Sequence, residues 1–508
     1  MSAAPEVFPH DEHNAELISN VHPADWKNPE PSGRYNLVVI GAGSAGLITA
    51  AIAAGLGAKV ALVERHLLGG DCLNVGCVPS KALIRASRSV AEARRAVEFG
   101  LPEPRDDEID FAAAMKRVRR VRARISRDDS AHRYRDELGV EVFLGDARFS
   151  GSDRVEVADK SLRFKKAVIA TGARAVAPPI PGLTEAGYLT NETVFNLTER
   201  PGRLGVIGGG PIGSELAQAF RRLGSQVVVF DLAPQLLPRE DEDAAEIVKQ
   251  RFLHEGIGLV LGCRLKKVEV RGEQKIIHAA CADGNEQAVA VDEILVAAGR
   301  APNVEGMNLE ALGVEYDAQR GVRVDDYLQT ANPRIYAAGD VCMEWKFTHA
   351  ADAAAKIVVQ NALFLRTKKL SSLIMPWCTY TDPEVAHVGL SERDARASGI
   401  ELDTFAIPLE AVNRAVADGE EEGFVKVHVK KGSDEILGAT IVASHAGEMI
   451  SEVTLAMVGK LGLGKILEVI HPYPTQAEGI LRAASTYTRR RVTPLVKLAL
   501  QRWMALRR

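Results

Sequence analysis

The feature that most constrains the fold of this 508-residue chain is a glycine-rich segment that occurs twice. The first copy reads YNLVVIGAGSAGLITAAIAAGLGAKVALVER, and the second reads RLGVIGGGPIGSELAQAFRRLGSQVVVFD. In each copy an apolar run precedes G-x-G-x-x-G, a helix-forming stretch follows, and a second apolar run leads to an acidic residue. This order predicts a buried parallel strand, a tight turn, a helix and a second parallel strand. The chain therefore contains an internal duplication of a βαβ unit.

The two copies match in the spacing of their glycines and acids, with Glu64 and Asp231 each 23 positions after the first glycine. The glycines are Gly41, Gly43 and Gly46 in the first copy and Gly208, Gly210 and Gly213 in the second. Such glycines make a tight turn, admit a pyrophosphate to the backbone and let the helix pack closely on the strand. A carboxylate at the end of the second strand binds ribose hydroxyls and repels a 2′-phosphate. We expect two dinucleotide sites, with NADH preferred over NADPH at Asp231, although Arg239 lies close by.

Composition excludes several classes of protein. The net charge of −4 does not favour nucleic acid, and no apolar run reaches the ~18 residues that span a bilayer. Six cysteines in 508 residues are too few for a disulfide framework, and the acidic N-terminus lacks the features of a signal peptide. We therefore expect a cytoplasmic protein. Residues 1–33 are expected to form a poorly ordered polar extension, and the basic stretch Lys116–Glu137 a long exposed helix.

The segment GGDCLNVGCVPSK places Cys72 and Cys77 five residues apart. A metal site, a structural disulfide and a redox couple all fit this spacing, which alone does not decide between them. A zinc site would need two further ligands at short spacing, and none appear. The remaining cysteines lie among apolar neighbours and are expected to be core residues: Cys263, Cys281, Cys342 and Cys378.

With the duplication and this segment together, residues 35–488 resemble the flavoprotein pyridine nucleotide–disulfide oxidoreductases, which include glutathione reductase, dihydrolipoamide dehydrogenase and mercuric reductase. GGDCLNVGCVPSK is similar to the family's redox-active disulfide segment, with Asp71 where most members carry threonine. IYAAGDVC resembles the second FAD motif, whose aspartate, here Asp340, binds the ribityl chain. TDPEVAHVGL resembles the start of the interface domain through which these proteins form homodimers.

The resemblance implies an α/β fold with two Rossmann-like domains, for FAD and NAD, and a C-terminal α+β dimerisation domain. The expected domains are an extension (1–33), an FAD domain in two parts (34–185 and 306–373), an NAD(P) domain (186–305), an interface domain (374–488) and a basic tail (489–508). The candidate cofactor-binding residues are Gly41, Gly43, Gly46, Glu64, Gly70, Asp71, Lys81, Thr171, Gly172, Asp340, Gly208, Gly210, Gly213, Asp231 and Gly299.

The same resemblance implies that Cys72 and Cys77 form a redox-active disulfide, with Cys77 next to the flavin and Cys72 as the thiol that meets substrate. In a regular helix their Cα atoms would lie roughly 8.7 Å apart, which is beyond the reach of a disulfide. Cys72 is therefore expected on an irregular turn and Cys77 at the start of a helix, where the dipole favours a thiolate. Lys81 and Glu215 match the family's lysine–glutamate pair beside the flavin.

The C-terminal segment HPYPTQAEG departs from the histidine motif of disulfide-reducing members. Keeping Glu478 in register places Tyr473, a poor base at neutral pH, where they carry the histidine donated by the other subunit. His471 could replace it only if the backbone shifts. A tyrosine at this position resembles mercuric reductase, whose soft metal substrate needs no thiol protonation. The segments FTHAADAAA and GEMISEVTLAM are also similar to that enzyme. The candidate catalytic residues are Cys72, Cys77, Lys81, Glu215, Tyr473 and Glu478.

Other features differ from mercuric reductase. No Cys-x-x-Cys segment precedes the first fingerprint in this sequence, and the tail lacks the paired cysteines that deliver mercury. Pro211 replaces the tyrosine that covers the nicotinamide pocket in glutathione reductase. The leading prediction is an FAD enzyme that uses NADH to reduce Hg(II) or a small thiol-reactive oxidant. The alternatives are a dihydrolipoamide dehydrogenase-like disulfide reductase and a redox-sensing, membrane-associated flavoprotein of low turnover.

The tail after Arg491 is basic and amphipathic. On a helical wheel Leu495, Ala499, Trp503 and Leu506 share one face, and Lys497, Gln501 and Arg508 lie opposite. Such a helix either lies on an anionic membrane or packs on the dimer.

Overall fold

The computed structural model describes residues 5–102, 108–281 and 284–508. Its helices are α1 Glu12–Val21, α2 Ser44–Gly55, α3 Gly70–Asn74, α4 Cys77–Arg95, α5 Phe111–Ile125, α6 Ala131–Asp136, α7 Leu183–Ala186, α8 Pro211–Arg222, α9 Glu242–His254, α10 Thr348–Leu363, α11 Glu392–Ala397, α12 Asn413–Asp418, α13 Ala446–Val458, α14 Leu463–Ile466, α15 Glu478–Arg490 and α16 Pro494–Leu506.

Its strands are β1 Arg34–Ile40, β2 Val60–Glu64, β3 Glu141–Leu144, β4 Ala147–Gly151, β5 Arg154–Val157, β6 Lys160–Ile169, β7 Ala173–Ala175, β8 Arg203–Ile207, β9 Gln226–Asp231, β10 Gly258–Leu261, β11 Cys263–Arg271, β12 Gln274–Cys281, β13 Glu286–Val291, β14 Glu293–Val296, β15 Arg300–Pro302, β16 Tyr316–Asp317, β17 Gly321–Val322, β18 Ile335–Ala337, β19 Pro376–Thr379, β20 Glu384–Gly389, β21 Leu402–Pro408, β22 Phe424–Lys430 and β23 Ile436–Ala443.

The chain divides into two compact units. The first comprises Met1–Gly208, Ala219–Leu232 and Cys263–Leu373, and the second comprises Gly209–Gln218, Ala233–Gly262 and Ile374–Arg508.

The main sheet of the first unit has the order β3-β2-β1-β6-β5-β4, and β18 also pairs with β6. The pairs between β1, β2, β3, β6 and β18 are parallel, whereas β4, β5 and β6 pair antiparallel. Leu37 to Ile40 of β1 are buried, as expected of a parallel strand covered on both faces. The predicted strand from Asn36 and the predicted strand end at Glu64 are both confirmed.

The second βαβ copy supplies a separate group of parallel strands in the same unit, with β8 between β9 and β14. The strand β9 ends at Asp231, as predicted from the spacing. The strands β11, β12 and β13 follow as an antiparallel sheet.

The second unit holds a five-stranded antiparallel sheet in the order β19-β20-β23-β22-β21. The helix α13 packs on β20 and β23, and α15 packs on β21 and β22. Their shared apolar core includes Val427, Ile441, Val453 and Ile480. The predicted C-terminal α+β domain is confirmed.

The expectation of a poorly ordered N-terminal extension is wrong for the described residues that follow Pro9. Asp11 caps the helix α1 by accepting hydrogen bonds from the backbone N–H groups of His13 and Asn14. Leu17 and Val21 are fully buried, and α1 packs against α5. The cap at Asp11 and the packing against α5 stabilise a helix that the polar composition of residues 1–33 does not indicate.

The expectation of a long exposed basic helix over Lys116–Glu137 is also wrong, because α5 ends at Ile125 and two of its arginines are buried. Arg119 Nε donates to Asp11 Oδ2 at 2.5 Å. Arg122 donates to Asn14 Oδ1 at 2.5 Å and to the carbonyl oxygen of Asn74 at 2.8 Å. The basic residues therefore hold α1 and the segment around Asn74 in place.

Within the described residues, the structure contains no helix long and apolar enough to cross a lipid bilayer.

Candidate active site

The first glycine fingerprint lies between β1 and α2. Gly41 has a φ of +99°, a conformation that glycine adopts without strain. Gly43 is the N-cap of α2 and makes no side-chain cap hydrogen bond, so the helix N-terminus presents backbone N–H groups suited to a phosphate. Glu64, at the end of β2, accepts hydrogen bonds from the backbone N–H groups of Ala42 at 2.7 Å and His66 at 2.8 Å. Burial raises the pKa of Glu64.

The start of the Cys72 segment packs directly on this fingerprint. Gly70 has a φ of +54°, and a Cβ there would lie 2.6 Å from the Cα of Gly43. A side chain at position 70 would prevent this approach, so glycine is required there. The turn after β6 lies in the same unit, where the hydroxyl of Thr171 donates to the carbonyl oxygen of Asn303 at 2.6 Å, and Asn303 donates its backbone N–H to the carbonyl oxygen of Gly172. These features form a glycine-lined cradle with helix N–H groups, which fits an FAD diphosphate.

The two cysteines lie on either side of a helix break. Cys72 is in the short helix α3, and Cys77 is the first residue of α4, with Val75 and Gly76 between the two helices. A continuous helix is excluded, as predicted, although the irregular backbone falls at Gly76 and not at Cys72 itself. The two residues do not form a disulfide with each other, and the Cys72 side chain hydrogen-bonds to that of Cys77. The predicted redox disulfide is therefore present here as an adjacent dithiol.

Hydroxyl groups surround this dithiol. The Cys77 sulfur lies 3.3 Å from Thr348 Oγ1, at the N-terminus of α10. The hydroxyls of Thr348 and Ser44 also hydrogen-bond to the Cys72 sulfur. The hydrogen bond to Cys77 and burial together raise the pKa of Cys72. Cys77 is exposed and Cys72 is half-buried.

Lys81 and Glu215 are each placed on a helix that follows a predicted motif. Lys81 is one turn into α4 after Cys77. Glu215, in α8, is buried and accepts a hydrogen bond from the backbone N–H of Tyr380 at 2.9 Å, within the second unit. Glu215 is therefore a buried acid of α8 and not a surface residue.

Asp340, which follows β18, is joined to the Cys72 segment by an arginine. Arg300 forms an ion pair with Asp71, and its Nε lies 3.6 Å from Asp340 Oδ2. Burial raises the pKa of Asp340, and the charge of Arg300 opposes that rise. One cation therefore lies between the two predicted FAD-binding acids.

The residues predicted for the nicotinamide site lie at the ends of β8, β9 and β14. Gly208 follows β8, Gly210 precedes α8, and Gly213 is in its first turn. Asp231 ends β9. Gly299 lies between β14 and β15 and accepts a hydrogen bond from the backbone N–H of Val176 at 3.3 Å.

The C-terminal segment places Tyr473 on the surface, with 71% of the residue exposed. Its hydroxyl accepts a hydrogen bond from Asn413 Nδ2 at 3.0 Å. His471, in contrast, is held by Glu452 Oε1 at 3.0 Å and by the carbonyl oxygen of Val469 at 3.2 Å. Glu478 accepts from Arg482, and its Oε2 is buried without a hydrogen-bond partner among the described residues. The structure therefore does not support His471 as a replacement for the missing histidine.

Three features were missed by sequence reasoning. Thr348 lies in the FTHAADAAA segment, which was interpreted only as a likeness to mercuric reductase. Arg300 lies in the segment EILVAAGRAPN, which follows the second fingerprint. The third is a disulfide between Cys263 and Cys281, which were expected to be core thiols. They lie opposite each other on β11 and β12, and the signal was their equal distance from Gly272 in the hairpin turn.

Two nucleotide-binding βαβ units, a dithiol at a helix N-terminus and a separate α+β domain define a two-cofactor thiol oxidoreductase. The chain matches the model of the pyridine nucleotide-disulphide oxidoreductase family over residues 35–355, and the family's dimerisation domain over residues 375–484. It belongs to this family, which is FAD-dependent and uses a pyridine nucleotide.

Individual relatives carry different activities. The chain is 36% identical to a mercuric reductase of Streptomyces lividans over 464 residues, covering 89% of this chain and 96% of that protein. It is 36% identical to a mercuric reductase of Bacillus cereus, covering 91% and 72%. It is 34% identical to a dihydrolipoyl dehydrogenase of Thermus scotoductus, covering 89% and 96%.

Solved structures agree with this assignment. The HOCl-induced flavoprotein disulfide reductase RclA from Escherichia coli superposes with a TM-score of 0.79 at 29% identity, covering 89% of this chain and 99% of RclA. LpdA from Mycobacterium tuberculosis superposes with a TM-score of 0.81 at 26% identity, covering 89% and 99%.

Proposed function

We propose that this chain is an FAD-dependent oxidoreductase that uses NADH to keep the Cys72–Cys77 pair reduced, and that this dithiol reduces Hg(II) or another soft, thiol-reactive oxidant. The observation that carries the proposal is the contact between the two sulfurs next to the first fingerprint. Two adjacent sulfurs can bind one soft metal ion or exchange with one disulfide.

The residues of the proposed FAD site have distinct roles. Gly41, Gly43 and the N-terminus of α2 take the diphosphate, and Glu64 takes the adenosine ribose. When bound, FAD would supply the chemistry that passes two electrons from the nicotinamide to the oxidised, disulfide form of the Cys72–Cys77 pair. Lys81, one turn into α4, is proposed to orient the flavin.

Asp231 supports NADH as the electron donor. A carboxylate at the end of β9 binds both hydroxyls of an adenosine ribose and repels a 2′-phosphate.

Tyr473 favours a metal ion over a disulfide as substrate. Reduction of a disulfide requires a proton for the leaving thiol, which the phenol of Tyr473 supplies poorly near pH 7. Reduction of Hg(II) to Hg(0) consumes two electrons and needs no proton at sulfur. The 34% identity to a dihydrolipoyl dehydrogenase keeps disulfide reduction as the second candidate.

We propose that two chains form a homodimer through the C-terminal domain, and that Tyr473 and Glu478 of one chain complete the dithiol site of the other. The match to the family's dimerisation domain over residues 375–484 supports the dimer. The high exposure of Tyr473 in a single chain is consistent with a place at a subunit contact.

We further propose that the enzyme is cytoplasmic and touches an anionic membrane through α16. The chain has eight basic residues and no acid after Glu478. The large apolar residues of α16, including Leu495, Trp503 and Leu506, are exposed. Basic side chains with an exposed tryptophan suit a phospholipid surface that carries negative charge.

The activity is tested anaerobically by following NADH consumption when Hg(II) is added with an excess of a small thiol. One NADH should be consumed for each Hg(II), with Hg(0), NAD⁺ and one proton as products. Cys72→Ser and Cys77→Ser should each abolish turnover, whereas Cys378→Ser, a substitution in β19, should retain it. If NADH reduces the protein but no further NADH is consumed when Hg(II) is added, then Hg(II) is not a substrate. Disulfides and small oxidants would then remain as candidate substrates.

The membrane contact is tested by sedimentation with vesicles of phosphatidylglycerol and phosphatidylcholine. The full chain should bind at low salt, and Lys497→Glu combined with Arg502→Glu should release it. If the full chain does not sediment with the vesicles, and the double charge reversal dissociates the dimer, then α16 belongs to the subunit interface instead.

A further inference from the structure

Asp71 stands where most members of the family carry threonine, and it is paired with a distant arginine. Asp71 Oδ2 accepts a hydrogen bond from Arg300 Nη2. The same nitrogen donates to the carbonyl oxygen of Ala173 at 2.9 Å. The guanidinium is thus held from two sides, and its side chain is only 17% exposed.

Arg300 also faces Asp340. Its Nε lies 3.6 Å from Asp340 Oδ2 and is buried without a hydrogen-bond partner in the described part of the chain. Lys346 Nζ donates to the backbone carbonyl oxygen of Asp340 at 2.9 Å. The negative charges of Asp71 and Asp340 are therefore balanced by the positive charges of Arg300 and Lys346. The Nε of Arg300 is left without a hydrogen-bond acceptor among the described residues.

The position of Asp71 links this balance of charges to the binding of FAD. Gly70 packs on Gly43 of the phosphate-binding turn, so the next residue, Asp71, is beside the turn that the fingerprint assigns to the FAD diphosphate. A carboxylate there repels a diphosphate, and a neighbouring guanidinium offsets that repulsion. Threonine would bring no charge and would leave the guanidinium without its acidic partner.

We propose that Asp71 is a positioning residue that holds Arg300 beside Asp340 and offsets its charge, so that this ion pair sets both the affinity for FAD and the redox potential of the bound flavin. The inference rests on the FAD site proposed above. Because the reduced flavin carries more negative charge than the oxidised flavin, a change in the net charge at this site acts on the two redox states unequally.

Opposite charge changes should therefore have opposite effects. Asp71→Asn keeps a hydrogen-bond acceptor for Arg300 and removes the negative charge, so the flavin potential should rise and the FAD dissociation constant should fall by roughly threefold to tenfold. Arg300→Met leaves Asp71 and Asp340 without their shared cation, so the potential should fall and FAD should bind more weakly. Arg300→Lys keeps the charge and should restore most of the potential.

The experiment measures the flavin midpoint potential against a reference dye and the FAD dissociation constant by flavin fluorescence, in the full-length protein. Glu305→Gln is the matched control, because Glu305 also forms an ion pair with an arginine, Arg174, but is exposed. This control should leave both quantities unchanged. Asp71→Thr serves as a second variant should the asparagine variant not fold.

The outcomes separate this inference from the proposed function. Opposite shifts in Asp71→Asn and Arg300→Met, with none in Glu305→Gln, support the charge-balancing role. Bound FAD whose potential is the same in all three variants overturns the inference and leaves the proposed function intact. A purified protein that holds no FAD and takes none up overturns both.

Discussion

His471 is tied to Glu452: its Nε2 lies 3.0 Å from the carboxylate Oε1, and the histidine side chain is only 6% exposed. The neighbouring Tyr473 is instead open to solvent. The segment therefore offers a phenol and not an imidazole at the position where disulfide-reducing relatives keep a base.

We predict that Tyr473→His increases the oxidation of dihydrolipoamide by about tenfold or more, since a positioned general base contributes at this scale. The rate is measured as NAD⁺ reduction at pH 7.5. His471→Ala is the matched variant, and it should lower the midpoint of thermal unfolding without changing Hg(II) turnover. A loss of turnover in His471→Ala, with no gain in Tyr473→His, would show that His471 and not position 473 acts on the thiols.

The helix α1 makes a second prediction possible. Asn14→Ala removes the side-chain acceptor of the buried Arg122 and should lower the free energy of unfolding by about 1–3 kcal/mol. Glu16→Ala, on the same helix, breaks only the exposed ion pair with Arg127 and should cost about 0–1 kcal/mol. Urea unfolding of both variants checks this, and similar small losses would mean that α1 does not support the core.

These contacts show why parts of the fold could be predicted and parts could not. The ends of β2 and β9 at Glu64 and Asp231 follow from local patterns, because strand, turn and helix each leave a periodic signal in the sequence. The helix break between Cys72 and Cys77 follows from the glycines between them. In each case the information lies within about 30 residues.

Most of the missed features depend on contacts between segments that are distant in the sequence, whereas the disulfide depends on the register of one hairpin. Asp71 and Arg300 are brought into contact by the tertiary fold, because Arg300 lies in β15, far from Asp71 in the sequence. Cys263 and Cys281 are paired by the register of one hairpin, which a bulge near Leu265 adjusts. Arginines in α5 looked like a solvated face, because nothing in their local sequence indicates that Asp11 and Asn14 cover them.

Asp231 gives a prediction for the choice of coenzyme. Asp231→Ser removes the carboxylate that would face a 2′-phosphate and should lower KM for NADPH by about tenfold, because like-charge contact is costly. Steady-state rates with both coenzymes measure the effect. Glu64→Gln is the control at the matching position of the first copy and should leave the coenzyme preference unchanged. If Asp231→Ser does not change the preference for NADH over NADPH, another residue discriminates between the two coenzymes, and Arg239 is the next residue to substitute.

Glu240 gives a prediction for pH dependence in the second unit. Its carboxylate is 5% exposed and accepts a hydrogen bond from Trp377 Nε1 at 2.7 Å, and burial raises its pKa to about 7. In the unfolded chain the group ionises near pH 4.5. The folded state therefore keeps a proton that the unfolded state has lost, so stability is highest below pH 4.5 for this group and falls as pH rises to 7.

The expected loss for this group is roughly 3 kcal/mol across that interval. Glu240→Gln should remove this part of the pH dependence in urea unfolding. In the folded protein, the tryptophan fluorescence should change with a midpoint near pH 7 because the carboxylate that accepts from Trp377 gains its charge there. That transition should be absent from Glu240→Gln and from Trp377→Phe. A transition that persists in Glu240→Gln would assign it to another group, and the buried carboxylate would then titrate outside this range.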